Sequence, residues 1–158
     1  MHSLRRTLAG TAKGPRASDS QLLVALEKVE LLSHVVTHLS EPNPDQGTET
    51  DADISATSLP PEQVRRILEA KISDLPMSAG QMQLLCLARA LLQDNKMVLL
   101  DEVTSAIDVA TEERVRSVLV KELRGKTVIM VAHREGMMGL CDVVVEMAGG
   151  RIVGVTRS

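Results

Sequence analysis

Hydrophobic positions along the chain change their spacing from one region to the next. From Ser18 to Leu39 they recur at helical intervals: Leu22, Leu26 and Val29 share one face, and Ser18 with Gln21 forms a capping-box pattern at the start. Pro61 suits a first helical turn, and Val64, Ile67 and Leu68 carry a short amphipathic helix toward Lys71. Ser78 to Gln93 turns Leu84, Leu85, Leu87, Ala88, Leu91 and Leu92 mostly to one side. Thr111 to Leu123 does the same with Val115, Val118, Leu119 and Leu123, and Gly125 ends it. Three other runs, Met97–Leu100, Thr127–Ala132 and Val143–Met147, are apolar at nearly every position and too short for helices. Such strands, separated by helices, predict an α/β fold with a parallel sheet covered on both faces. The last strand is followed by Gly149-Gly150 and Arg151–Val155, which predicts an antiparallel pair. There is no internal repeat.

Two stretches break these patterns. Residues 1–17 carry Arg5, Arg6, Lys13 and Arg16 with no acid and lack the continuous apolar run of a secretory signal, so a disordered basic tail is expected. Residues 41–60 hold Glu41, Asp45, Glu49, Asp51 and Asp53 with no Lys or Arg, and are rich in Pro. That composition buries too little apolar surface to order itself and predicts a flexible acidic insertion. The expected organisation is thus the tail, a helical region 18–92 interrupted by the insertion, and an α/β region 93–158.

Composition narrows the function. The chain has 158 residues, 18 Lys+Arg against 21 Asp+Glu, and no Phe, Tyr or Trp. Without ring faces there is no stacking platform for single-stranded nucleic acid, nor for an adenine base. A net charge of −3 argues against binding nucleic acid through a general positive field, and no nucleic-acid partner is expected. Cys86 and Cys141 have no metal-ligand spacing, and the four His are scattered, so neither a disulfide framework nor a zinc site is expected. No apolar run approaches the length of a membrane span.

The chemistry gathers at strand ends. In an open parallel sheet, ligands sit outside the carboxyl ends of the strands. Met97–Leu100 delivers Asp101 and Glu102 there, and Val128–Ala132 delivers His133. A single helix links these strands, so a crossover puts all three side chains on one edge. A first carboxylate can hold Mg²⁺, an adjacent one can accept a proton from water, and an imidazole can contact a phosphoryl oxygen. That is a phosphoryl-transfer set without its phosphate cradle, because the pattern G-x-x-x-x-G-K-[ST] does not occur.

Five segments then resemble the motifs of ABC ATPases, in the family's order and spacing. Met77-Ser78-Ala79-Gly80-Gln81-Met82-Gln83 resembles the signature motif, and Leu87–Leu92 the helix after it. Met97–Glu102 is similar to the Walker B strand with its glutamate, Ser105-Ala106-Ile107-Asp108 to the D-loop, and Val131–Arg134 to the switch-histidine motif. The wording of Gln83–Leu92 and of Thr104–Asp108 is most similar to the second nucleotide-binding domain of C-type, multidrug-resistance-associated exporters. The resemblance runs from about Ser18 to Val155 and implies a partial P-loop-type α/β domain. On this view 18–92 is the α-helical subdomain and 93–158 the carboxyl-terminal part of the ATPase core, with the Walker A strand, loop and helix lacking.

The resemblance implies ATP and Mg²⁺ as cofactors. Asp101 would hold the metal shell. Glu102 and His133 would be catalytic, the first orienting and deprotonating water, the second contacting the γ-phosphate. Ser78, Ala79, Gly80 and Gln81 would meet the γ-phosphate of a nucleotide held by the opposite domain, and Ser105 with Asp108 would cross between the two ATP sites. Independently of the family, the amino end of a long helix favours an anion. Partners would be a second nucleotide-binding domain and the transmembrane domains of an exporter, with the chain on the cytosolic side of the membrane. Met77 and Ala79 depart from the usual Leu and Gly, and the glutamine loop and adenine-stacking aromatic are not found. A non-catalytic module that only docks on another nucleotide-binding domain is therefore an alternative, as is a soluble ABC ATPase acting on DNA or ribosomes.

Overall fold

A computed structural model describes residues 2–10, 17–39 and 55–157. The element order is α1 (Leu4–Ala9), α2 (Asp19–Lys28), α3 (Leu32–Leu39), α4 (Pro61–Glu69), α5 (Ala79–Leu91), β1 (Met97–Asp101), α6 (Val109–Glu122), β2 (Thr127–Val131), α7 (Glu135–Met138), β3 (Val143–Ala148) and β4 (Arg151–Arg157). Most of the expected insertion, 41–54, and residues 11–16 of the expected tail lie outside the described residues.

The start of the chain differs from expectation. Residues 4–9 form a helix, capped by the Ser3 hydroxyl, which accepts from the Arg6 amide at 3.3 Å. Leu4 and Leu8, four apart, are fully buried, and this apolar pair outweighs the basic residues around it. The Leu4 amide donates to the Ala70 carbonyl at 2.8 Å and the Ile72 amide to the His2 carbonyl at 3.3 Å, which ties the segment to the end of α4.

Arg5 also grips Asp19 on α2, with a second contact at 3.0 Å. The guanidinium holds the Asp19 carboxyl below its ordinary value of 3.8. A carboxyl lowered on folding stabilises the fold above its ordinary value, and that contribution is lost as pH falls through the lowered one. Both side chains are half-exposed, so the effect is small. Denaturant midpoints of the wild-type chain are therefore expected to fall slightly more steeply than those of Asp19→Asn below about pH 4.

The expected single helix 18–39 is two helices. The Ser18–Gln21 capping box forms and starts α2, but Glu30 takes φ 58 and ends it. The Leu31 amide donates back to the Leu26 carbonyl at 2.9 Å, a left-handed stop built without glycine. Arg114 of α6 pairs with the Glu30 carboxylate beyond the turn. The core is centred among α1–α5, extends to β1 and α6, and is dominated by Leu, with Leu22, Leu26, Leu68, Leu85 and Leu87 each no more than 2% exposed.

β1 and β2 are parallel and in register from Met97↔Thr127 to Asp101↔Val131. β3 and β4 pair antiparallel as a separate hairpin, as the Gly149-Gly150 turn predicts. The expectation of a sheet covered on both faces is corrected. Val98 and Leu100 are buried on one side of β1, while Leu99 is 71% exposed on the other, beside Ile129 at 52%. Each of these sheets has two strands among the described residues, so little of the apolar surface meets a partner. Met147 is likewise exposed on the hairpin, while Met137 is fully buried.

Candidate functional site

The register of β1 and β2 brings Asp101 and Val131 level, so the residues just beyond them share one rim. Glu102 and His133 meet there: the imidazole Nε2 lies 3.1 Å from a Glu102 carboxylate oxygen. Both side chains are open to solvent, His133 79% and Glu102 48% exposed, as groups that act on a ligand must be. Asp101 is exposed beside them at the end of β1. Among the described residues no three His, Cys, Asp or Glu converge into a metal cage. A single exposed carboxylate such as that of Asp101 fits Mg²⁺, which takes one or two protein carboxylates and leaves its other positions to phosphate and water.

Glu102 adopts φ 46, a left-handed conformation that an L side chain reaches only at a cost. Its amide donates to the Val131 carbonyl of β2 at 3.0 Å and its carbonyl accepts from the Ser105 amide at 3.0 Å. The chain thus turns sharply where the strand stops, which swings the Glu102 carboxylate over the end of β2 toward His133.

Ser78, Ala79, Gly80 and Gln81 form the amino end of α5. The Ser78 hydroxyl accepts from the Gln81 amide at 3.1 Å, and the Gln81 side-chain oxygen accepts from the Ser78 amide at 2.8 Å. These two side chains therefore close a capping box on each other. Ala79 lies in the first helical turn, exposed and without positive φ, so the usual glycine is not required there. Gly80 is different. A Cβ on it would sit 2.8 Å from the Ala106 carbonyl oxygen and 2.9 Å from the Ile107 side chain. The backbone of α5 rests directly on the 106–107 turn, and only glycine permits that approach.

Ser105 sits in the same turn. Asp108 closes it by capping α6, accepting from the Thr111 amide at 3.0 Å and the Thr111 hydroxyl at 2.7 Å. Arg134, next to His133, pairs with the buried Glu112 and donates to the Ile107 carbonyl at 3.2 Å. Arg134 thus joins the segment after β2 to the turn after β1.

Gln83 closes the segment that resembles the signature motif, but the sequence alone assigns it no role at the site. Its amide nitrogen donates to the Ser105 hydroxyl at 2.8 Å and lies 3.4 Å from the Glu102 carbonyl, and its amide oxygen accepts from the Ala106 amide at 3.1 Å. The available signal was its place at the end of that motif, beside the buried Leu84 and Leu85. The structure brings Glu102, His133, Ser105 and Gln83 into one connected cluster, with the amino end of α5 packed against it.

Comparison with known proteins agrees in fold and sequence. A family model described as ABC transporter matches residues 8–105. The chain is 34% identical over 139 residues to the ATP-dependent bile acid permease of Saccharomyces cerevisiae, covering 85% of the chain and 8% of that protein. It is 32% identical over 143 residues to the ATP-dependent lipid A-core flippase of Hahella chejuensis, covering 85% of the chain and 24% of that protein. The chain therefore spans less than a quarter of the length of either. A bacterial Atm1-family ABC exporter solved with ATP bound has a similar fold, with TM-score 0.68 at 20% identity over 98% of the chain and 23% of that structure.

Proposed function

The chain belongs to the ABC transporter family, and from that premise we propose that it forms part of an exporter ATPase which couples ATP binding and hydrolysis to transport of a small molecule. The 3.1 Å approach of Glu102 and His133 at the carboxyl rim of the parallel strands carries this reading. Mg²⁺, when bound, would neutralise the charge on the phosphates. Asp101 would hold it. Glu102 would accept the proton of the attacking water, its carboxylate aimed by the turn at φ 46. His133, released from Glu102, would donate to the γ-phosphate. The amino end of α5 would offer its amide groups and helix dipole to the γ-phosphate of a nucleotide gripped by a second nucleotide-binding domain. Ser105 and Asp108 would face that partner. Transmembrane domains would complete the exporter and hold this part at the cytosolic face of the membrane. Within the family, the wording of Gln83–Leu92 supports kinship with the second nucleotide-binding domain of C-type exporters.

The phosphate-gripping loop is not among the 158 residues, so we assign it to another polypeptide segment. The bare face around Leu99 and Ile129 supports this, because a parallel sheet of apolar strands requires cover on both sides. The same face also suits the second reading, a module that docks without catalysing.

The test is complementation. The purified chain is expected to show no Mg²⁺-dependent ATPase activity alone, and to gain it when mixed with a phosphate-loop segment from a relative. Turnover by the chain alone would overturn the view that it is incomplete. Nucleotide binding without turnover in the mixture would establish the non-catalytic module.

A further inference from the structure

We infer that Gln83 is a positioning residue that fixes the Glu102–Ala106 turn to the amino end of α5. The inference rests on reading Glu102 as the water-orienting carboxylate and extends that reading to Gln83, the last residue of the signature-like segment.

The argument begins with the strain at Glu102. A non-glycine residue at positive φ is retained only where its surroundings over-determine it. On its amino side Glu102 is held by β2, through the hydrogen bond to the Val131 carbonyl. On its carboxyl side the turn has no strand to lean on, and there the Gln83 amide reaches in. It supplies a donor to the Ser105 hydroxyl and the Glu102 carbonyl, and an acceptor to the Ala106 amide. A primary amide offers both at once, from two atoms of one planar group. A carboxylate of the same shape keeps the acceptor and loses the donor, and a methyl group loses both.

Gln83 lies one helical turn beyond Ala79, on the helix whose first turn already touches Ala106 through Gly80. The Arg134 bond to the Ile107 carbonyl closes the far side of the turn. The face of α5 that would meet one nucleotide and the carboxylate that would activate the water attacking another are therefore joined by hydrogen bonds rather than separated by a gap. A displacement of α5 reaches Glu102 through Gln83.

The experiment compares the full chain with Gln83→Ala and Gln83→Glu, reading amide hydrogen exchange residue by residue. Gln83→Ala is expected to speed exchange at Ala106 about fivefold or more, with α2 unchanged. Gln83→Glu keeps the acceptor and is expected to restore Ala106 protection. Unchanged exchange at Ala106 in Gln83→Ala, or a rise spread evenly through α2 and α5, would overturn the inference. In the complemented ATPase both variants are expected to lose kcat about tenfold at unaltered KM, since both lose the donor to the Glu102 carbonyl. Full kcat in either variant would also overturn it. If the wild-type mixture has no activity, the proposed function fails, and the exchange result still decides whether Gln83 anchors the turn.

Discussion

Glu102→Gln is expected to slow ATP hydrolysis by the complemented chain at least about a hundredfold, the range lost when a positioned proton acceptor is removed. The substitution keeps length and shape, so the turn at φ 46 and the approach to His133 survive. What disappears is the ability to take a proton from water. Nucleotide binding is expected to persist, because Asp101 and the phosphate loop are untouched. The effect should then fall on kcat rather than KM. Single-turnover hydrolysis, with ATP binding measured in parallel, checks this. Equal rates for Glu102→Gln and wild type would remove Glu102 from the chemistry.

The second large effect is on stability. Gly80→Val is expected to cost about 3 kcal/mol, the upper end for forcing extra carbons into a packed site. The first added atom meets the Ala106 carbonyl oxygen at 2.8 Å, and a backbone oxygen cannot swing aside as a long side chain does. Arg134 and Gln83 hold the same turn in place from either side. In a chain of this size that loss lowers the melting temperature by roughly 10 °C. Thermal unfolding followed by circular dichroism measures it. Ala79→Val, one position away but exposed in the first turn of α5, is the control and is expected to melt within a few degrees of wild type.

Much of this architecture is written in the residue pattern. The apolar runs ending in Asp101-Glu102 and His133 gave both the parallel pairing and the shared rim, because strand direction and the single intervening helix leave few other arrangements. The break at Glu30 was not legible: a left-handed stop without Gly or Asn carries no local signature, and it depends on the Leu31 amide finding the Leu26 carbonyl. The amino-terminal helix was hidden for a related reason. Leu4 and Leu8 were visible, but their worth lies in the surface that α2, α4 and α5 present to them, which composition does not reveal. Gln83 is the same case in miniature, since an amide on a helix becomes informative only once the turn it holds is known.

The exposed side of β1 and β2 bears on how such a chain survives in a cell. Leu99, Met97, Ile129 and Val131 are each more than half open to water. To a holdase chaperone that surface is indistinguishable from an unfinished fold. The steady level of the chain would then follow the supply of whatever seals the sheet, and synthesis in excess of it would end in degradation or inclusion bodies.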